Sequence, residues 1–327
     1  MNWSGKRVLI TGAGGFIASH LTETLAEVGA DVTALVHYNA LGSWGWLDQS
    51  PIRNEIKVIG GDIADRDSVK QAMNGRDIVF HLAALIAIPY SYRAPQSYVQ
   101  TNIVGTMNVL QAARELSVER LVHTSTSEVY GSAQYVPIDE KHPLQGQSPY
   151  SASKIGADKM AESFHLSFDL PVVTVRPFNT FGPRQSARAV IPAIISQCLT
   201  KETIRLGNLT PTRDLNYVAN TVQGFMLAAS APDAIGATVN IGSGREISIG
   251  DLAALIAKLV GREIAIETDQ QRLRPDKSEV DRLLADNRLA QELLEWQPFY
   301  TLEDGLQKTI NWVENNKERY RPDVYTV

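Results

Sequence analysis

The chain has 327 residues, 44% of them hydrophobic and 20% charged, which suffices for a large core and argues against disorder. Acidic residues outnumber basic ones 36 to 31, the net charge is -5, and no block of Lys or Arg stands out, which excludes a general nucleic-acid binder. The single cysteine, Cys198, excludes an intrachain disulfide and a cysteine-based zinc site.

The N-terminal half alternates short β-rich apolar runs with longer amphipathic stretches, the pattern of parallel strands joined by crossover helices. Strands are predicted at 7–11, 31–36, 56–60, 77–83, 120–126 and 171–177, most of them apolar on both faces, as a sheet covered by helices requires. Helices are predicted at 15–29, 68–75, 102–117 and 149–168. The alternation breaks near Pro177. Beyond it a short strand (238–242) and helices at 249–261, 282–294 and 302–316 suggest a smaller lobe laid over the ends of the sheet. Cys198 falls in the apolar helical pattern AVIPAIISQCL and is expected to be a buried structural thiol. No apolar signal region opens the chain, and no segment reaches the roughly 18 uninterrupted apolar residues of a membrane span. A cytoplasmic protein that binds neither nucleic acid nor membrane is expected, with no metal site.

The first strand runs into VLITGAGGFIASH, where Gly12, Gly14 and Gly15 crowd one turn before a helix. Glycines there let the backbone approach a pyrophosphate, which the helix N-terminus holds through free N–H groups and its dipole. At the end of the second strand, Val36 and His37 stand where an acidic residue usually holds an adenosine ribose. NAD is the expected cofactor, with NADP left open. After the third strand, Asp62 in GDI has two readings: its side chain holds adenine, or it caps the helix that begins near Asp65.

Further on, YSASK sets Tyr150 and Lys154 four residues apart, on one face of a helix. An ammonium near a phenol favours the phenolate and yields a usable base. With TGAGGFIA, GDI, HLAA, STSEVYG, YSASK, RPFNTFGPRQ and TRDLNYV in this order, the sequence resembles the extended short-chain dehydrogenase/reductase family that acts on nucleotide sugars, over nearly its whole length. The resemblance implies an α/β fold: a doubly wound parallel sheet (Rossmann) with a smaller C-terminal α/β substrate lobe. It places the NAD(P)-binding domain at 1–176, with a returning segment near 214–243, and the nucleotide-sugar lobe mainly at 177–327. It also implies a homodimer. The motifs TGAGGFIA, GDI and HLAA add Phe16, Ile17, Ile63, Leu82, Ala83 and Ala84 as cofactor contacts.

By the same resemblance, Thr126 holds the sugar O4, Tyr150 removes its proton, and Lys154 holds the ribose and tunes Tyr150. Glu128 resembles the carboxylate of 4,6-dehydratases, which plain 4-epimerases do not need. A carbonyl at C4 acidifies C5, so one carboxylate takes that proton while water leaves from C6. Ser127 departs from the aspartate of the dTDP-glucose type and matches the Thr-Ser-Glu of the GDP-mannose type. It either positions Glu128 or a water, or is a turn hydroxyl.

For the substrate, Asn179, Arg213 and Arg274 resemble the family's sugar-nucleotide contacts, and Arg188 is a further candidate; arginine suits a diphosphate because its fork binds two oxygens. Residues 85–95 are expected to form a loop near the sugar, with Tyr90 and Tyr92 available to it. Residues 37–51, with Trp44 and Trp46, are expected to form a lid or packing flap. The overall look is similar to dehydratases of nonulosonic-acid pathways, which implies UDP- or GDP-linked N-acetylglucosamine as substrate. Alternatives are a UDP-glucuronate decarboxylase, with Arg93 facing the C6 carboxylate, a 5,6-dehydratase, a 4-epimerase, or a non-catalytic dinucleotide sensor.

Overall fold

The computed structural model describes residues 1–273 and 275–320, so Arg274 lies outside the described residues. Its strands are β1 (Arg7–Thr11), β2 (Asp31–His37), β3 (Lys57–Gly61), β4 (Ile78–His81), β5 (Arg120–Thr124), β6 (Val172–Pro177), β7 (Asn179–Phe181), β8 (Thr203–Leu206), β9 (Thr212–Tyr217), β10 (Thr238–Ile241), β11 (Glu246–Ser248), β12 (Ala265–Thr268) and β13 (Arg282–Leu283). The helices are α1 (Phe16–Glu27), α2 (Arg66–Met73), α3 (Ile88–Arg93), α4 (Pro95–Tyr98), α5 (Gly105–Glu115), α6 (Pro149–Phe168), α7 (Val190–Thr200), α8 (Val218–Ser230), α9 (Ile249–Val260), α10 (Arg288–Leu294) and α11 (Leu302–Asn315).

Seven strands make one parallel sheet in the order β10-β6-β5-β4-β1-β2-β3, the doubly wound arrangement. Along β1 the side chains alternate by the strand period of two: Leu9 joins a core with α2, α5 and α6, while Val8 and Ile10 join the other core with α1 and α8. Each fully buried leucine or isoleucine of these faces contributes about 1.5–3 kcal/mol. The remaining strands lie beyond β6. β9 pairs with β7, β11 and β13, and β8 pairs with β12. β10 returns from that region to the edge of the large sheet.

Helix α6 spans 149–168, as its periodicity predicts, because Ser148 and Ser151 form a reciprocal capping box in front of Pro149. Beyond Pro177, β7, β8, β9, β11, β12 and α8 have no predicted counterpart, and three further segments differ from expectation. Residues 99–104 form a π-helical turn ahead of α5, in which Asn102 faces inward. Residues 88–93 are helix α3, with Pro89 in its first turn, rather than open loop. The predicted helix at 282–294 starts only at Arg288, because 282–283 pairs with β9 and Ala285 is held by Ile138 and Asp214. Cys198 is buried, and burial pushes its thiol up to about 11. Among the described residues no helix is long and apolar enough to cross a membrane.

Candidate active site

All strands of the parallel sheet end at one edge, and a cleft of about 1120 Å³ opens there beneath the second lobe. Its floor begins where β1 gives way to the glycine turn. Gly12 has φ +72°, and a Cβ on it would sit 2.8 Å from Ala83 Cα. A Cβ on Gly14 would sit 2.5 Å from the Trp44 carbonyl oxygen, since the 37–51 segment packs over the turn and Trp46 N–H donates to Gly14 O. Gly15 precedes α1 with no side-chain cap, so the first N–H groups of α1 remain for a ligand. This side-chain-free cradle fits a dinucleotide pyrophosphate.

Thr11 Oγ1 accepts from Ala83 N–H at 3.1 Å and pairs with His81 Nδ1 at 2.8 Å, while His81 Nε2 meets Thr106 Oγ1 at 3.0 Å. The ring of His81 therefore fastens β1, β4 and α5 together, and its burial holds its pKa well below the usual range. Asn102, from the π-helical turn, clamps both backbone groups of Leu85 and donates to Ser153 Oγ on α6 at 2.9 Å. Rigid walls on both sides of the cleft follow from these bonds.

β5 ends at Thr124 and leads into Ser125, Thr126 and a 3-10 turn over Ser127–Tyr130. Thr126 Oγ1 accepts from Glu128 N–H at 3.2 Å and also bonds the Tyr150 hydroxyl. Tyr150, buried on α6, packs edge-on against Tyr98 at 6.2 Å. Lys154 Nζ donates to the Thr124 carbonyl oxygen at 2.6 Å. The spacing of four thus brings Tyr150 and Lys154 to one wall, but the charges differ from the sequence expectation. Burial pushes the phenol above its ordinary range, opposed by the Thr126 bond, while Lys154 directs its ammonium to Thr124. Burial also lowers Lys154 to about 8, against the pull of Asp158. Ser127 is buried. The Glu128 carboxylate lines the cleft and makes no hydrogen bond or ion pair among the described residues.

Of the predicted cofactor residues, Gly12, Gly15, Phe16, Ile17, Leu82, Ala83, Ala84, Tyr150 and Lys154 line the cleft. Gly14, His37, Asp62 and Ile63 do not. His37 and Asp62 face each other outside it at 3.7 Å, both solvent-exposed at the ends of β2 and β3. Asp62 accepts from Ala64 N–H, and the cap of α2 is Asp65, which accepts from Ser68 N–H, so the capping role considered for Asp62 belongs to its neighbour. Ile63 is buried beneath Gly105.

Asn179, Arg188 and Arg213 line the far half of the cleft. The side-chain oxygen of Asn179 is buried with no partner among the described residues. Arg213 donates to Thr212 O at 2.9 Å and meets Glu279 at 3.4 Å. Tyr92, expected near the sugar, lines the cleft, while Tyr90 does not; Arg184, Arg272 and Gln271 also line it and were not singled out from sequence, since they come from segments with no shared periodicity. Tyr92 OH meets Ser278 Oγ at 2.5 Å, linking α3 to the second lobe.

The family model described as GDP-mannose 4,6 dehydratase matches residues 9–309. A putative UDP-glucose 4-epimerase of Methanocaldococcus jannaschii is 30% identical, covering 94% of this chain and 99% of its own. A dTDP-D-glucose 4,6-dehydratase of Mus musculus is 32% identical, covering 97% of this chain and 91% of its own. The crystal structure of DesIV, a dTDP-glucose 4,6-dehydratase of Streptomyces venezuelae with NAD and TYD bound, has a TM-score of 0.87 at 28% identity and covers 97% of this chain and 99% of that one. With the match running from β1 to α11, the chain belongs to the extended short-chain dehydrogenase/reductase family of nucleotide-sugar dehydratases and epimerases.

Proposed function

We propose that the protein is an NAD-dependent nucleotide-sugar 4,6-dehydratase, cytoplasmic and homodimeric, that converts UDP- or GDP-linked N-acetylglucosamine to the 4-keto-6-deoxy sugar. The observation that carries this proposal is Glu128. Its carboxylate lines the cleft beside the Thr126–Tyr150 pair and has no partner among the described residues. A loop carboxylate kept for structure is ordinarily bonded to nearby N–H groups.

The cradle over Gly12–Ile17, with Leu82–Ala84 and Lys154, suits NAD, and NAD is bound in the related DesIV. Held there, NAD would supply hydride chemistry, an oxidant for C4 and afterwards a hydride donor for C6. Thr126 holds O4, and Tyr150 takes its proton. Once C4 is a carbonyl, Glu128 removes the acidified C5 proton and delivers it to the C6 oxygen. The C6–O bond breaks, water departs and Glu128 is a carboxylate again. Hydride at C6 and a proton from water at C5 complete the 4-keto-6-deoxy sugar, and the proton taken from O4 leaves Tyr150 to solvent. Ser127 positions Glu128 or a water. Residues 1–176, with the returning segment near 214–243, serve the cofactor, and 177–327 serve the nucleotide sugar through Asn179, Arg188, Arg213 and Arg274.

A second reading has its own support. Arg93 lines the same cleft, and a guanidinium near C6 suits a uronate, as in UDP-glucuronate decarboxylases. Mass spectrometry after incubation with UDP- and GDP-N-acetylglucosamine and UDP-glucuronate separates the cases. Loss of water supports dehydration and loss of carbon dioxide supports decarboxylation. A product of unchanged mass inverted at C4 identifies an epimerase, and no change with any nucleotide sugar sinks all of these.

A further inference from the structure

Beneath the catalytic pair lies a buried ionic cluster that none of these roles uses. Asp158 follows Lys154 by four residues on α6, as Lys154 follows Tyr150, so the three share one helix face. Asp158 is 5% exposed. Its carboxylate accepts from His123 Nε2 at 3.1 Å, from Ser125 Oγ at 2.7 Å, and from Arg176 Nε and Nη2 at 3.2 and 3.0 Å. Arg176 also donates to Tyr130 OH at 3.0 Å, and Tyr130 donates to Asn240 at 2.7 Å.

These donors sit on β5, on the turn after it, and on β6. One carboxylate therefore ties α6 to the two strands whose ends form the catalytic half of the cleft. Ser125 lies between Thr124, which receives the Lys154 bond, and Thr126, which bonds Tyr150. The clamp thus reaches both members of the catalytic pair through one strand end.

The charges around Lys154 point the same way. Asp158 on α6, His123 on β5 and His81 on β4 interact with its charge, Arg176 on β6 pairs with Asp158, and Tyr150 and Glu128 line the same cleft. Burial favours the neutral form of both histidines, and Arg176 is already paired with Asp158. Asp158 is the group that opposes the burial of Lys154.

We infer that Asp158 is a positioning residue: through Ser125 and His123 it fixes the strand end that presents Thr124, Thr126 and Glu128, and its charge keeps Lys154 an ammonium bonded to Thr124. The inference rests on the role proposed for Lys154 at the cofactor, so its test reads cofactor binding as well as turnover. Removing Asp158 alone leaves Arg176 buried without its carboxylate, and such variants often unfold. The double variant Asp158→Asn/Arg176→Gln removes both charges together and avoids that cost.

NADH affinity, followed by fluorescence across neutral and alkaline pH, is expected to weaken in the wild type as pH rises through about 8. In Asp158→Asn and in the double variant the midpoint falls by about one pH unit or more, the range for losing a close opposite charge. Turnover at neutral pH falls with them while KM for the nucleotide sugar stays within about twofold, since Asp158 touches no ligand. Asp158→Glu restores the midpoint at least in part. A midpoint unmoved in both variants, even with a lowered melting temperature, overturns the inference and leaves Asp158 a structural ion-pair partner. A wild type that lacks the alkaline limb overturns it too. A wild type that has the limb, with midpoints displaced in the variants, but converts no nucleotide sugar sinks the dehydratase proposal and leaves this one standing.

Discussion

Lys154 donates to the carbonyl oxygen of Thr124, and this one bond joins the helix that carries Tyr150 to the strand end that leads to Thr126 and Glu128. Burial in this position lowers Lys154 to about 8, from an ordinary 10.5. Two opposite pH trends follow. Turnover declines as pH rises through about 8, because the neutral amine no longer holds its place as a cation. Between about 8 and 10.5 the folded chain binds fewer protons than the unfolded one, so this group's contribution to stability rises with pH across that window. Rate profiles and urea midpoints measured over the same pH series check both signs.

Tyr150→Phe removes the hydroxyl bonded to Thr126 and leaves the ring packed on Tyr98. The expected result is a loss of about 10²–10⁴ in kcat, the usual share of a general base. Substrate affinity and melting temperature should change little. Steady-state kinetics beside a thermal melt separate this from a packing defect.

Glu128→Gln keeps the size of the side chain and removes its basicity. Oxidation at C4, read as a transient rise in NADH absorbance, should survive, while exchange of the C5 hydrogen in deuterated water should stop. Unchanged exchange would take Glu128 out of the mechanism, because another group would then be removing the C5 proton.

Gly12→Ala tests the cofactor cradle. A methyl group there meets the backbone of Ala83 at 2.8 Å, and the residue must keep φ +72°. The left-handed conformation alone costs about 1–2 kcal/mol for an alanine. NADH titration is expected to reveal a marked loss of affinity, and the melting temperature should fall.

Much of this architecture was legible in the sequence because its determinants are local. The spans of β1, β6 and α6 follow from apolar runs, Pro177 and the Ser148 cap, all readable within a few residues of one another. The glycine turn and the Tyr150–Lys154 spacing are likewise short-range signals. The π-helical turn was not legible, because what marks it is the clamp that Asn102 makes on Leu85 and Ser153, far off in the chain. The same holds at 282–285, where pairing with β9 and Asp214 overrode a helical pattern.

By itself, the sequence determined the order of strands and helices in the N-terminal half, the glycine turn and the residue types of the catalytic wall, since periodicity and spacing act along the chain. Tertiary structure decided what surrounds them. It turned the Lys154 ammonium to Thr124, left the Glu128 carboxylate without a partner among the described residues, set His37 against Asp62 outside the cleft, and placed Asp158 beneath Lys154 among donors from three segments. Burial and the distance between charges govern those properties, and both exist only once residues remote in sequence are packed together.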